Sequence, residues 1–313
     1  MYYIGIDLGG TNIAVGITNE KWEIIHKASV KTSAQDTTAM IKDMTDLCKK
    51  VCEDSGISME EIKSVGIGIP GAINSEDGIV TYANNLNFEN FPIVAEFKKY
   101  IDKDVYISND ANVAALGEAV AGGAKGCESA VVVTLGTGVG GGIILNSKIW
   151  EGHKSVGAEV GHIVIEVGGE QCSCGRKGCW EAYSSATALI RDTKRAIEKN
   201  PDSLMAEIAE VKGKVTGKTA FDAAKEGDKT AQEVVDKYIK YLAEGIANIC
   251  NLIGPEVVLL GGGVSHEGDA LLNPLKKEVN KLLYGGDMLK HSDIKLATLG
   301  NDAGIIGAAA LGK

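Results

Sequence analysis

The sequence predicts an α/β fold made of two related halves, and three features predict it. Short apolar strands alternate with segments whose apolar residues recur at helical spacing. A strand–glycine turn–strand unit opens each half of the chain. Glycine supplies 40 of the 313 residues, about 13% against a usual 7% or so. No collagen-like period accompanies this excess, which points to tight turns and close backbone approach to a ligand.

The first unit reads as strand over residues 2–7, turn over Leu8-Gly9-Gly10-Thr11, and strand over 12–17. Residues 36–54 carry Met40, Ile41, Met44, Leu47, Cys48 and Val51 on one helix face,. Cys48 and Cys52, four apart on that helix, read as inert thiols. A buried strand over 65–69 stops at Pro70-Gly71. Another over 105–107 runs into Ser108-Asn109-Asp110, and an alanine-rich helix follows over 111–121. A strand over 130–134 starts the second unit. At an offset of 127, Leu8-Gly9 falls on Leu135-Gly136, Ile17 on Ile144, Asn19 on Asn146 and Lys21 on Lys148. The opening unit thus recurs at the head of the second half, as in an internal duplication. Residues 232–253 form a long amphipathic helix ended by Gly254-Pro255, and a buried strand over 257–260 runs into Gly261-Gly262-Gly263,. Ligands are expected between the two halves.

Lys+Arg number 32 against 42 Asp+Glu, a net charge of −10. An acidic chain with no basic block is a poor partner for nucleic acid or an anionic membrane. Only Arg176, Arg191 and Arg195 are arginines, so a phosphate site must rely on backbone N–H groups rather than guanidinium forks. Met1 leads straight into strand, without a basic n-region or cleavage site. The longest apolar stretch, 130–145, is broken by glycines and threonines and is no membrane span,. Three of the seven cysteines crowd into residues 172–179, which reads as thiolate metal ligands in a reducing, cytoplasmic compartment rather than a disulfide framework.

Asp7-Leu8-Gly9-Gly10-Thr11 allows two readings. It is either a phosphate cradle, in which backbone N–H groups of residues 10–12 face phosphate oxygens and Asp7 holds Mg²⁺ through water, or an ordinary hairpin behind a solvated Asp. Leu135 to Gly142 contains a formal G-x-G-x-x-G, but strand rather than helix follows it, so it is read as a second phosphate hairpin and not a dinucleotide fingerprint. The run from Gly213 to Thr219 is one residue short of a P-loop, follows no strand, and reads as a surface turn. Asp110 is either a helix cap or a general base at a strand's C-terminal end. His162 with Cys172, Cys174 and Cys179 makes a closed set for structural Zn²⁺, with Gly175 and Gly178 permitting the turns between sulfurs. Four protein ligands leave no open position, so this zinc would shape a loop rather than perform chemistry. The other histidines, His26, His153, His266 and His291, lack comparable partners.

Together these residues resemble the ROK family of bacterial sugar kinases and repressors, within the hexokinase/actin-like ATPase fold of duplicated ribonuclease H-like domains. The resemblance runs over essentially the whole chain. It rests on 7–11, the glycine run 136–142, Gly157-Ala158-Glu159-Val160-Gly161-His162, the stretch 172–181, Gly261-Gly262-Gly263-Val264 and Asp302-Ala303-Gly304. It implies a two-lobed protein with a small domain at 1–112 plus a returning helix at 302–313. A large domain at 113–301 would carry the zinc loop.

The resemblance also implies site roles. ATP with Mg²⁺ would lie on Asp7, Gly9, Gly10, Thr11, Asn12, Gly136, Thr137 and Gly138, with its adenosine on Gly262 and Gly263. Gly71, Asn85, Asn109, Asp110, Glu159, His162 and Glu181 would surround a hexose, with Asp110 as the base. His162 would serve zinc with one ring nitrogen and the sugar with the other. The stretches 172–181 and 217–225 look most like the family's glucokinases. Kinases of N-acetylmannosamine, N-acetylglucosamine or fructose share these residue types, whereas the family's repressors carry an N-terminal helix-turn-helix. A homodimer or homotetramer is implied by the family as well.

Overall fold

The computed structural model describes residues 1–83 and 86–313. In the first half the elements are β1 Tyr2–Leu8, β2 Asn12–Asn19, β3 Ile24–Lys31, α1 Thr37–Ser55 and β4 Ile62–Ile69. There follow a small hairpin sheet of β5 Ala72–Asn74, β6 Ile79–Ala83 and β7 Phe88–Phe91, then α2 Ile93–Lys98, β8 Asp104–Asn109 and α3 Asp110–Ala121. The second half holds β9 Ala130–Leu135, β10 Val139–Leu145, β11 Lys148–Ile149, α4 Glu181–Ser184, α5 Ala186–Lys199, α6 Leu204–Val211 and α7 Thr219–Lys225. It continues with α8 Lys229–Ile253, β12 Val257–Gly261, α9 Asp269–Leu282, β13 Asp293–Leu296 and α10 Asp302–Ala310.

The two five-stranded sheets have the orders β3-β2-β1-β4-β8 and β11-β10-β9-β12-β13. Position by position the orders correspond, so the recurrence of the glycine unit in sequence is matched by recurrence in topology. In the first sheet β1 pairs antiparallel with β2 and parallel with β4, which pairs parallel with β8. In the second, β10–β11 is antiparallel and β12–β13 parallel. The hairpin strands beyond β2 and the β5–β7 sheet exceed the sequence expectation. Their residues are short runs mixed with polar side chains, which carry little periodic signal.

The chain forms two compact units: residues 1–132, 142–158 and 297–313 make one, and 133–141 with 159–296 the other. The division keeps α3 whole with the first unit, whereas the expected boundary, between residues 112 and 113, falls inside that helix. The reason is packing: α10 lies against α3, β1 and β4. That seat is lined by glycine. A Cβ at Gly5 would overlap the Ile305 carbonyl, at Gly66 that of Ala308, at Gly307 that of Val113, and at Gly117 that of Ala303. Backbone meets backbone only because no side chain intervenes. The core of this unit joins Ile4, Ile6, Ile13, Val15, Met40, Met44, Val65, Ile67 and Phe97, all fully buried. No described helix is long and apolar enough to cross a membrane.

Candidate active site

In the first unit, β8 ends where α3 begins, and this junction sets Asn109 and Asp110. Asn109 is the N-cap: its Oδ1 accepts the Ala111 N–H at 2.9 Å while its Nδ2 donates to the Gly71 carbonyl at 3.0 Å. Gly71, with φ of 113°, could not carry a Cβ, which would overlap the Tyr82 carbonyl. Two residues expected at the sugar, Gly71 and Asn109, are thus bonded to each other. With Asn109 as the N-cap, Asp110, the first residue of the helix, accepts the same Ala111 N–H with its Oδ1 at 2.9 Å. Burial pushes the Asp110 carboxyl above the usual aspartate range,. Asp7, near the end of β1, is pushed up to about 6 by burial and by the charge of Asp110.

The turn after β1 is closed by the Gly9 N–H on the Asn12 carbonyl at 2.9 Å. It is braced from β3's end, where Thr32 bonds the carbonyls of Gly9 and Thr11. Gly10, Thr11 and Asn12 stay exposed. Neither Gly9 nor Gly10 needs a left-handed backbone, so their value is the bare surface they leave. Asn85, expected at the sugar, and its neighbour Asn84 lie outside the described residues.

In the second unit, the turn 136–138 is held from the helices that follow the thiolate loop. Ala186 N–H and Thr187 Oγ1 donate to the carbonyls of Gly136 and Thr137, at 2.8 and 2.7 Å. Gly262, with φ of 82°, packs on the Leu135 backbone, and Gly263 opens a single 3₁₀ turn with free space at its Cα. Glu159 is exposed, and the His162 N–H donates to its carbonyl at 3.1 Å.

His162, Cys172, Cys174 and Cys179 bring their ligand atoms within 4.8 Å of one another. Cys172 Sγ lies 3.7 Å from His162 Nδ1, and Cys174 Sγ lies 3.6 Å from Cys179 Sγ. A tetrahedron with Zn–S of about 2.3 Å has sulfur–sulfur edges of about 3.8 Å, so the donor set fits that ion, and the sulfurs are too far apart for a disulfide. Gly175 and Gly178 take φ of 89° and 85° in the turns between the cysteines. Behind the loop, fully buried Trp180 donates its indole N–H to the Tyr241 carbonyl of α8 at 3.0 Å. Its ring occupies the space that a side chain at Gly245 would need. Arg191 and Arg195 are engaged by Glu170 and Asp192. The surface turn 213–219 joins α6 to α7 with no strand before it, unlike a P-loop. Sequence reasoning passed over Thr187 and also Glu151, an acidic residue in a loop with no motif around it.

The ROK family profile matches residues 3–313. This chain belongs to the ROK family. As a ROK protein it is 37% identical over 314 residues to a glucokinase of Halalkalibacterium halodurans, covering 100% of this chain and 95% of that one. A Thermotoga maritima glucokinase is 36% identical over 310 residues, covering 98% and 96%. Among solved structures, a ROK family glucokinase from Streptomyces griseus in complex with glucose and AMPPNP superimposes with a TM-score of 0.83 at 33% identity, covering 99% of each chain.

Proposed function

We propose that this ROK protein is a glucokinase of the hexokinase/actin-like ATPase fold, transferring the γ-phosphoryl group of ATP to the 6-hydroxyl of glucose. The observation that carries the reading is the Asn109–Asp110 junction, a carboxylate set at the start of α3 whose neighbour is tied to Gly71. The names of the full-length relatives support glucose as the sugar.

Phosphoryl transfer needs positioning and charge neutralisation more than covalent chemistry from the protein. Asp110 accepts the hydroxyl proton as the sugar oxygen attacks phosphorus. Desolvation by the surrounding protein raises its proton affinity above that of a free aspartate, which suits a general base,. Gly71, Asn85, Asn109, Glu159, His162 and Glu181 orient the sugar. Gly9, Gly10, Thr11 and Asn12 with Gly136, Thr137 and Gly138 hold phosphates through backbone and hydroxyl groups, and Gly262 and Gly263 flank the adenosine. Asp7 would hold Mg²⁺ through water; the ion supplies charge neutralisation on the phosphates. Zn²⁺ on His162 Nδ1 and the three sulfurs would fix the imidazole, leaving Nε2 for a sugar hydroxyl. Family membership alone supports a homo-oligomer and a cytoplasmic place.

The test is ATP-dependent phosphorylation of a panel of hexoses and N-acetylhexosamines with Mg²⁺, with Asp110→Asn alongside. Glucose turnover that falls about 10²–10⁴-fold in the variant is expected. Preference for an N-acetylated sugar or fructose overturns the substrate, and turnover of no sugar overturns the kinase.

A further inference from the structure

The carboxylate of Glu151 receives three serine hydroxyls. Oε1 accepts the hydroxyl of Ser108, and Oε2 those of Ser75 and Ser155, each at 2.9 Å. The Ser75 and Ser155 oxygens are themselves 3.2 Å apart. The donors come from three separated places. Ser75 follows β5, buried Ser108 lies in β8 directly before Asn109 and Asp110, and Ser155 belongs to the segment 152–158.

That segment holds a concentration of unfavourable backbone. Lys154, Ser155 and Ala158 have φ of 52°, 57° and 64°, and none is glycine. Such conformations persist where the surroundings over-determine them. Here the Gly157 N–H closes the segment on the Glu151 carbonyl at 2.7 Å, and the Glu151 side chain ties Ser155 down. The chain then runs directly into Glu159 and His162.

We propose that Glu151 is a positioning residue for the sugar: its three-hydroxyl clamp fixes the strained segment ahead of Glu159 and His162 to the strand end that presents Asn109 and Asp110. The proposal rests on the kinase reading for its kinetic consequence, but the clamp itself has a readout of its own. Lys154 is exposed and sits inside the clamped segment, so trypsin cleavage there reports how firmly the segment is held.

The experiment compares the full-length wild type with Glu151→Ala, Glu151→Gln and Ser75→Ala. Glucose and ATP are varied separately, and timed trypsin digestion is read at Lys154 by mass spectrometry. Glu151→Ala is expected to raise the glucose KM about ten-fold or more, the cost of losing hydrogen bonds to a charged acceptor, with the ATP KM unchanged and Lys154 cut faster. Glu151→Gln, which keeps the shape and one acceptor oxygen, falls between it and the wild type. Ser75→Ala, which leaves two hydroxyls, moves the glucose KM the same way by about two- to five-fold and serves should Glu151→Ala fail to fold. Glucose and ATP KM rising together, or neither moving while Lys154 is cut at the wild-type rate, overturns the clamp. If the wild type phosphorylates no sugar, the kinase reading fails, and the rate of cleavage at Lys154 alone decides whether Glu151 holds the segment.

Discussion

Oε2 of Glu181 accepts the backbone N–H of Val139 at 3.0 Å, so a side chain assigned to the sugar also holds the second glycine turn. Its other oxygen, Oε1, accepts the Ser173 hydroxyl at 2.9 Å, which fastens the same carboxylate to the thiolate loop. Gly138 is required by this arrangement, because a Cβ there would overlap Oε2.

Gly138→Ala is therefore expected to displace Glu181 from Val139 rather than to obstruct phosphate directly. Both glucose and ATP KM should rise, with kcat/KM for glucose about ten-fold lower, the order of one lost charged hydrogen bond. Steady-state kinetics check this; an increase in ATP KM alone would contradict it.

The raised pKa of Asp7 has a stability consequence. With a folded value of about 6 against the ordinary 3.8, the folded state binds the proton more tightly than the unfolded chain. Its stabilising effect is complete below pH of about 4 and is lost as pH rises through about 6. Asp7→Asn should therefore be more stable than the wild type at pH 7–8, by an amount on the order of 3 kcal/mol, and equal to it near pH 3.5. Thermal melts across that range measure the difference, while ATP turnover falls in the same variant.

Metal content is checked by atomic emission: about one zinc per chain is expected, the stoichiometry of a single four-ligand set. Cys174, the exposed member of the set, gives a chelator its entry. Stripping the metal should release the loop around His162 and weaken glucose binding, measured by calorimetry, and Cys174→Ser should reproduce the effect. A metal-free protein with unchanged glucose affinity would show that the cluster does not position His162.

Gly307→Ala places a methyl group on the Val113 carbonyl, with backbone on both sides and no flexible side chain to yield. A loss of about 3 kcal/mol is expected, the upper part of the range for overpacking. Denaturant titration measures it; a change under about 1 kcal/mol would mean that α10 shifts readily on its seat.

The metal set was legible because its ligands lie close in sequence, and Cys172, Cys174 and Cys179 converge through two glycine turns. The Asn109–Asp110 junction was legible as a strand meeting a helix, although whether Asn109 or Asp110 caps that helix needed coordinates. The paired glycine turns were visible because Leu-Gly recurs at a fixed offset. Glu151 was not visible: its partners Ser75 and Ser108 lie 76 and 43 residues away, and an acidic residue in a loop looks solvated. The same holds for Glu118, almost fully buried in α3, whose Oε1 accepts the N–H groups of Thr298 and Leu299 at 2.9 and 2.8 Å. Long-range polar contacts leave no period for a sequence to show.

The glycine-lined seat of α10 sets an order of events during synthesis. β1, β4 and α3 emerge early, yet the helix that covers them, α10, lies roughly 180 residues further on. At about 5–20 residues per second, roughly 10 to 35 seconds pass between the end of α3 and the start of α10,. By the end of that interval segments 133–141 and 159–296 have emerged, and the second unit has everything it needs to assemble. The earlier-made unit waits with an uncovered backbone groove, a surface suited to chaperone capture. A chain lacking α10 would keep that groove open for as long as it lasted.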